Sequence, residues 1–178
     1  MMNSIYINKV DSGLPRWLVE VGFVLFVIQS VYTEYNISQW VVTHGLQTLF
    51  CLIILVGDMI LYYGVMRGMR ALERPFNVLW WIFLVVIAAG DIAFVAPDSI
   101  VNMGLAVATP LVFLPIGFAI AFFYRGWLQW VGILMVIHMV TMIVLPIMLF
   151  DVVPFLALDI IAVIAQVALG WAMRKVLV

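Results

Sequence analysis

Hydropathy divides this chain into six apolar runs, at about 17–33, 43–66, 76–96, 102–124, 127–149 and 152–173, with very short polar or proline-bearing breaks between them. No other feature constrains the fold as strongly. Crossing the hydrocarbon of a bilayer takes roughly 20 mostly apolar residues in a helix, and each run has about that length. The expected fold is an all-α integral membrane protein, a compact bundle of six transmembrane helices with both termini cytoplasmic. Residues 1–15 form a short cytoplasmic N-terminal segment and 16–178 a single six-helix transmembrane domain. Composition agrees: 67% of residues are hydrophobic and 10% charged, with a mean hydropathy of +1.26, far from the balance of a soluble domain.

Charge placement tests that count independently, because short cytoplasmic loops collect Lys and Arg. The eight basic residues are Lys9, Arg16, Arg67, Arg70, Arg74, Arg125, Arg174 and Lys175. In a six-span chain all of them fall on one side. The opposite connections hold Glu34, Asp98 and Asp151 and no basic residue. The expected location is therefore the plasma or inner cell membrane, multi-pass, with membrane lipids as the surroundings.

Several function classes drop out. The single cysteine, Cys51, removes an intramolecular disulfide framework, a CxxC redox pair and cysteine-rich metal sites. Near-zero net charge argues against nucleic acid as a partner. The chain has no HExxH, no GxSxG elbow and no phosphate-cradling glycine loop. Two histidines do not support a multi-haem carrier, and the apolar runs hold no lysine for a retinal Schiff base. No cofactor is expected. Met135, His138, Met139 and Met142 lie on one helical stripe whose soft ligands suit Cu(I), but methionine is a common apolar filler; no metal is expected there.

What remains are polar groups inside the runs. At 100° per residue His44, Gln47, Cys51, Asp58 and Tyr62 form one stripe of the second helix. Asp159 and Gln166, seven apart, share a face of the sixth with Ala162 and Gly170. Asp91 lies six residues before Pro97 in the third, Gln29 lies in the first, and His138 in the fifth. By depth, Asp91, Asp159, Gln47 and Gln29 converge on an outward-opening pocket, with Asp58 and His138 nearer the midplane or below. Aspartates in a span are costly, at about 2.5–3.5 kcal/mol on insertion scales. Asp58, Asp91, Asp159, His138, Gln166, Gln47, His44 and Gln29 are thus the candidate substrate- or proton-binding residues. The prolines of "TPLVFLP" (109–115) free backbone carbonyls and mark a candidate kink facing a cavity. Glu20, four residues from Arg16, is expected to pair with it.

Three functional readings follow. The first is a small-solute transport protein or substrate-binding membrane subunit with an outward-biased polar pocket, proton- or cation-linked through an aspartate, taking a small-molecule ligand and working with a partner subunit or as a homo-oligomer. In length and topology alone the chain resembles the substrate-capture subunits of energy-coupling-factor vitamin importers, a likeness that brings no site residue with it. The second is a membrane-embedded enzyme acting on a lipid or isoprenoid by carboxylic-acid catalysis, with aromatic faces sheltering a cation. The third is a non-catalytic immunity, sensor or assembly subunit.

Overall fold

A computed structural model describes residues 5–39, 44–70, 77–93, 100–141 and 155–178. These residues are mostly helical. Six helices run α1 (Arg16–Gln39), α2 (His44–Arg70), α3 (Asn77–Ala93), α4 (Ile100–Phe123), α5 (Trp127–Met139) and α6 (Phe155–Leu177). Two short strands, β1 (Ile5–Tyr6) and β2 (Tyr124–Arg125), complete the described elements. Each helix begins within three residues of its apolar run, because the runs are bounded by polar, glycine or proline residues that stop a helix.

The helices stand in a ring in chain order. Each packs on the next, α6 closes the ring on α1, and α2 also reaches α6. Neighbours run antiparallel where contacts fix their direction. Gly22 faces Ile60 and Gly57 faces Leu25 between α1 and α2, while Gly117 faces Val136 and Gly132 faces Ile120 between α4 and α5. The α4–α5 seam shows what the small residues achieve. A Cβ at Gly132 would lie 2.5 Å from the Ala121 backbone nitrogen and 2.6 Å from the Gly117 carbonyl, so the two backbones touch directly, as small residues at helix interfaces permit.

Lys9, Arg16, Arg67, Arg125, Arg174 and Lys175 gather at one end of this ring, hereafter the basic end. The segment before α1 seals that end as a strap. β1 pairs in parallel with β2, Ile5 opposite Tyr124 and Tyr6 opposite Arg125. The Ile7 amide donates to the Arg125 carbonyl at 2.9 Å and the Val10 amide to the Val176 carbonyl at 2.9 Å. Ile7, Val10 and Ser12 are buried. Gly126 turns the chain from β2 into α5 at φ 81°, and a side chain there would strike the Ile7 carbonyl and the Asn8 side chain. Read as sequence, residues 1–15 are a polar head; in three dimensions Ile5, Ile7 and Val10 anchor it to the helices.

α4 continues unbroken through Pro110 and Pro115. Pro115 is exposed on the outward face and Pro110 is half-buried, so the second proline of "TPLVFLP" does not face an interior cavity. Pro97, Pro146 and Pro154 lie outside the described residues.

The distribution of polarity is the most telling property of the ring. Large apolar side chains stand exposed in stripes: Val21, Val24, Ile28 and Val31 on α1, Leu111, Phe118 and Phe122 on α4, and Ile160, Ile164 and Trp171 on α6. Leu111 is 68%, Phe122 70% and Ile164 62% exposed. Gln29, Ser30, Asp58, His138 and Thr141 are instead buried. Among the described residues, one helical stretch, Ile160–Leu177, is both long and apolar enough to cross a bilayer; Ala108–Phe123 and Trp127–Met139 are apolar but shorter. The number of helices is thus the number expected, whereas crossing by all six rests on the sequence.

Candidate functional site

Two glycines bring α1 and α2 together at mid-height. A Cβ at Gly57 would sit 2.9 Å from the Phe26 backbone nitrogen, and one at Gly22 would sit 2.5 Å from Ile60 Cγ2. At that crossing Gln29 Nε2 donates to Asp58 Oδ2 at 3.2 Å, with Gln29 8% and Asp58 5% exposed. Depth along the sequence separates these two residues, with Gln29 in the outer half and Asp58 lower. The close antiparallel packing makes them partners instead.

One turn from Asp58 toward the basic end, Tyr62 starts a chain of rings across the interior. It meets Phe26 of α1 edge-on at 6.1 Å, Phe83 of α3 at 4.9 Å and Phe113 of α4 at 5.8 Å, and Phe113 lies 6.4 Å from the His138 ring of α5. Such edge-to-face contacts are the favoured ring geometry. Five helices thus contribute to one aromatic layer. It fills the ring's centre at the level of Tyr62, with the Gln29–Asp58 pair on its far side from the basic end.

Two polar atoms in this region lack a hydrogen-bond partner among the described residues, Gln29 Oε1 and His138 Nδ1. Buried polar atoms in native proteins are nearly always satisfied, and an exception marks a place for water, an ion or a ligand. The backbone around them is secured: Ser30 Oγ donates to the Phe26 carbonyl and Thr141 Oγ1 to the His138 carbonyl, each at 2.8 Å. An amide oxygen and an imidazole nitrogen, with a carboxyl beside the amide, offer a polar guest hydrogen bonds of both kinds.

The structure therefore unites Asp58 with Gln29 and places His138 at the opposite edge of the same aromatic layer. Gln166 is half-buried on α6. His44 and Gln47 on α2, Asp91 on α3 and Asp159 on α6 fall in helices whose path is described, but their side chains lie outside the described residues, so the outward-opening pocket they would line is untouched by this geometry. Of the methionine stripe, Met135 and Met139 are buried in the core, and no trio of His, Cys, Asp or Glu converges among the described residues. Met142 lies outside them.

Glu20 does not take Arg16 as its partner. It receives two hydrogen bonds from Arg174, Nε at 2.6 Å and Nη2 at 2.9 Å, and so ties α1 to α6. The same guanidinium lies 5.4 Å from the Phe23 ring centre and 5.2 Å from that of Trp171. A planar fork between two rings matches a carboxylate better than a local i,i+4 contact does. The sequence holds no local sign of this pair, because it depends on α6 closing the ring against α1.

Comparison with protein-family models, with curated proteins and with solved structures finds no significant match to this chain.

Proposed function

We propose that this chain is a multi-pass membrane protein with both termini cytoplasmic, whose six-helix ring holds a small polar solute at mid-depth, as a small-solute transport protein or the substrate-binding membrane subunit of a larger one. The observation that carries the reading is the two unsatisfied buried atoms, Gln29 Oε1 next to the Asp58 contact and His138 Nδ1 at the other edge of the aromatic layer. The setting supports it. Apolar stripes face outward as lipid requires, the basic residues share one end, and the aromatic layer blocks passage between the polar level and that end. A solute held on that side of the layer is closed to the basic end, as the outward-facing half of an alternating-access cycle requires. Asp58 is then the residue for proton or cation coupling.

The test is to purify the full chain from membranes in mild detergent and identify small molecules that co-purify by mass spectrometry. Gln29→Leu and His138→Phe should each remove the bound solute while leaving the protein monodisperse. An unchanged small-molecule profile in both variants contradicts the reading. A co-purifying lipid or isoprenoid product selects the enzyme alternative, which the rings of Tyr62, Phe83 and Phe113 near the Asp58 carboxyl favour.

A further inference from the structure

At the basic end, below the seam between α1 and α6, a depression of about 450 Å³ is lined by Asn8 and Lys9 of the strap, Arg16 of α1, Trp127 of α5, and Arg174 and Lys175 of α6. Four cationic side chains converge on it from three separate segments. Only Arg174 has a carboxylate partner within 4 Å among the described residues, Glu20. Lys9 Nζ donates to the Val178 carbonyl at 2.6 Å, and Lys175 Nζ lies 4.9 Å from the Trp171 ring centre. Lys9 is thus held by the last main-chain oxygen of the sequence, while Arg16 and Lys175 line the depression with no carboxylate within 4 Å among the described residues. Like charges held around one concavity repel unless an anion lies between them, and a guanidinium fork beside ammonium groups suits phosphate oxygens.

The surface above the depression identifies the phosphate's carrier. The α1–α6 seam is closed by Phe23 against Trp171, ring centres 6.2 Å apart, and the outward stripes rise from it, Trp17, Val21 and Val24 on one side and Trp171 and Ile164 on the other, all exposed. A molecule with a phosphate in the depression and hydrocarbon along the seam matches both surfaces. We infer that the depression formed by Lys9, Arg16, Arg174 and Lys175 is a headgroup site for an anionic phospholipid, whose acyl chains lie along the α1–α6 seam. Since Lys9 belongs to the strap and Lys175 to the end of α6, an occupied site also pins the strap to the helices. This inference rests on the membrane reading above but not on the solute site.

Full-length protein in detergent is titrated with dioleoyl phosphatidylglycerol and, separately, dioleoyl phosphatidylcholine, and bound lipid is counted by native mass spectrometry. Phosphatidylglycerol should bind preferentially. Lys175→Gln, at an exposed position, should weaken it about fivefold, and Arg16→Gln with Lys175→Gln roughly 25-fold, from the attraction of each basic charge to anionic lipid. Phosphatidylcholine binding should not change, and Arg16→Lys with Lys175→Arg should restore the preference. Arg67→Gln with Arg125→Gln removes two charges from the same end outside the depression and should leave the preference in place. Equal loss in that control, or no preference in the parent, overturns the site. Binding of inorganic phosphate alone at millimolar concentration, with no lipid preference, reassigns the depression to a soluble phosphoanion and overturns the lipid assignment. The membrane reading has a separate readout: retention in phosphatidylcholine vesicles after alkaline carbonate extraction, which Lys175→Gln does not alter.

Discussion

The outward faces of these helices carry apolar stripes, while the inward faces combine an apolar core with a few buried polar groups. On α1 the exposed stripe is Val21, Val24, Ile28 and Val31, while the same helix buries Gln29 and Ser30. At the end of α5 and just past it, Ile137 and Val140 are exposed and His138 and Thr141 buried. A bundle in water gains stability by hiding the first set and wetting the second. Under the proposed membrane reading the medium outside is apolar, and the interior supplies the polar groups with partners. The exposed apolar stripes and the few buried polar groups are the two observations on which the proposed membrane reading rests.

The comparison breaks most easily at the outer face. Ile164 lies about 20 Å along α6 from Leu177, near mid-height. Ile164→Arg should cost about 2.5–3.5 kcal/mol in a bilayer, seen as loss of the carbonate-resistant fraction. In water the same change at an exposed position is close to neutral, so an unaffected variant would mean that this face is wet.

At the inner face the effect is smaller. Asp58→Leu removes the acceptor of Gln29 Nε2 and leaves a buried amide donor behind, which costs about 1–3 kcal/mol; Asp58→Asn keeps an acceptor and should cost less. Denaturation in detergent monitored by tryptophan fluorescence orders the two. Destabilisation by Asn equal to that by Leu would show that the hydrogen bond is not what the site preserves.

How much of this was legible beforehand depends on the range of the interaction. The helices follow from local apolar runs, so α1 to α6 begin close to where hydropathy places them. The grouping of Lys9, Arg16, Arg67, Arg125, Arg174 and Lys175 follows from an even alternation of antiparallel helices. Partners do not follow, since they are fixed by which helices adjoin. Arg16 stands one turn from Glu20 in sequence, yet Arg174 holds it across the α1–α6 seam. Gln29 and Asp58 differ in apparent depth, yet Gly22 and Gly57 let their helices approach until the side chains meet. The strap was illegible because β1 needs β2, more than a hundred residues away, and because three apolar residues in a polar stretch carry no periodic signal.

A double-mutant cycle on Gln29→Ala and Asp58→Ala sharpens the inner half of the comparison. Polar pairs between helices in membranes couple by about 0.6 kcal/mol, up to about 1.7, and a coupling in that range is expected. Zero coupling would separate the two residues functionally. The smallest effect belongs to Glu20→Gln at the basic end, where the pair with Arg174 is partly exposed. Its loss of thermal stability should shrink as salt is raised, because water and ions screen it, whereas Asp58→Leu should be salt-independent.

The most direct measurement places a nitroxide on each face in turn. In a Cys51→Ser background, which removes the single native cysteine, labels at Val24, Leu111 and Ile164 in phosphatidylcholine vesicles should collide freely with dissolved oxygen and hardly at all with a water-soluble nickel chelate. A label at Tyr6, exposed on the strap at the basic end, should show the reverse. Nickel-accessible labels at Val24, Leu111 and Ile164 would place the apolar stripes in water and contradict the membrane account.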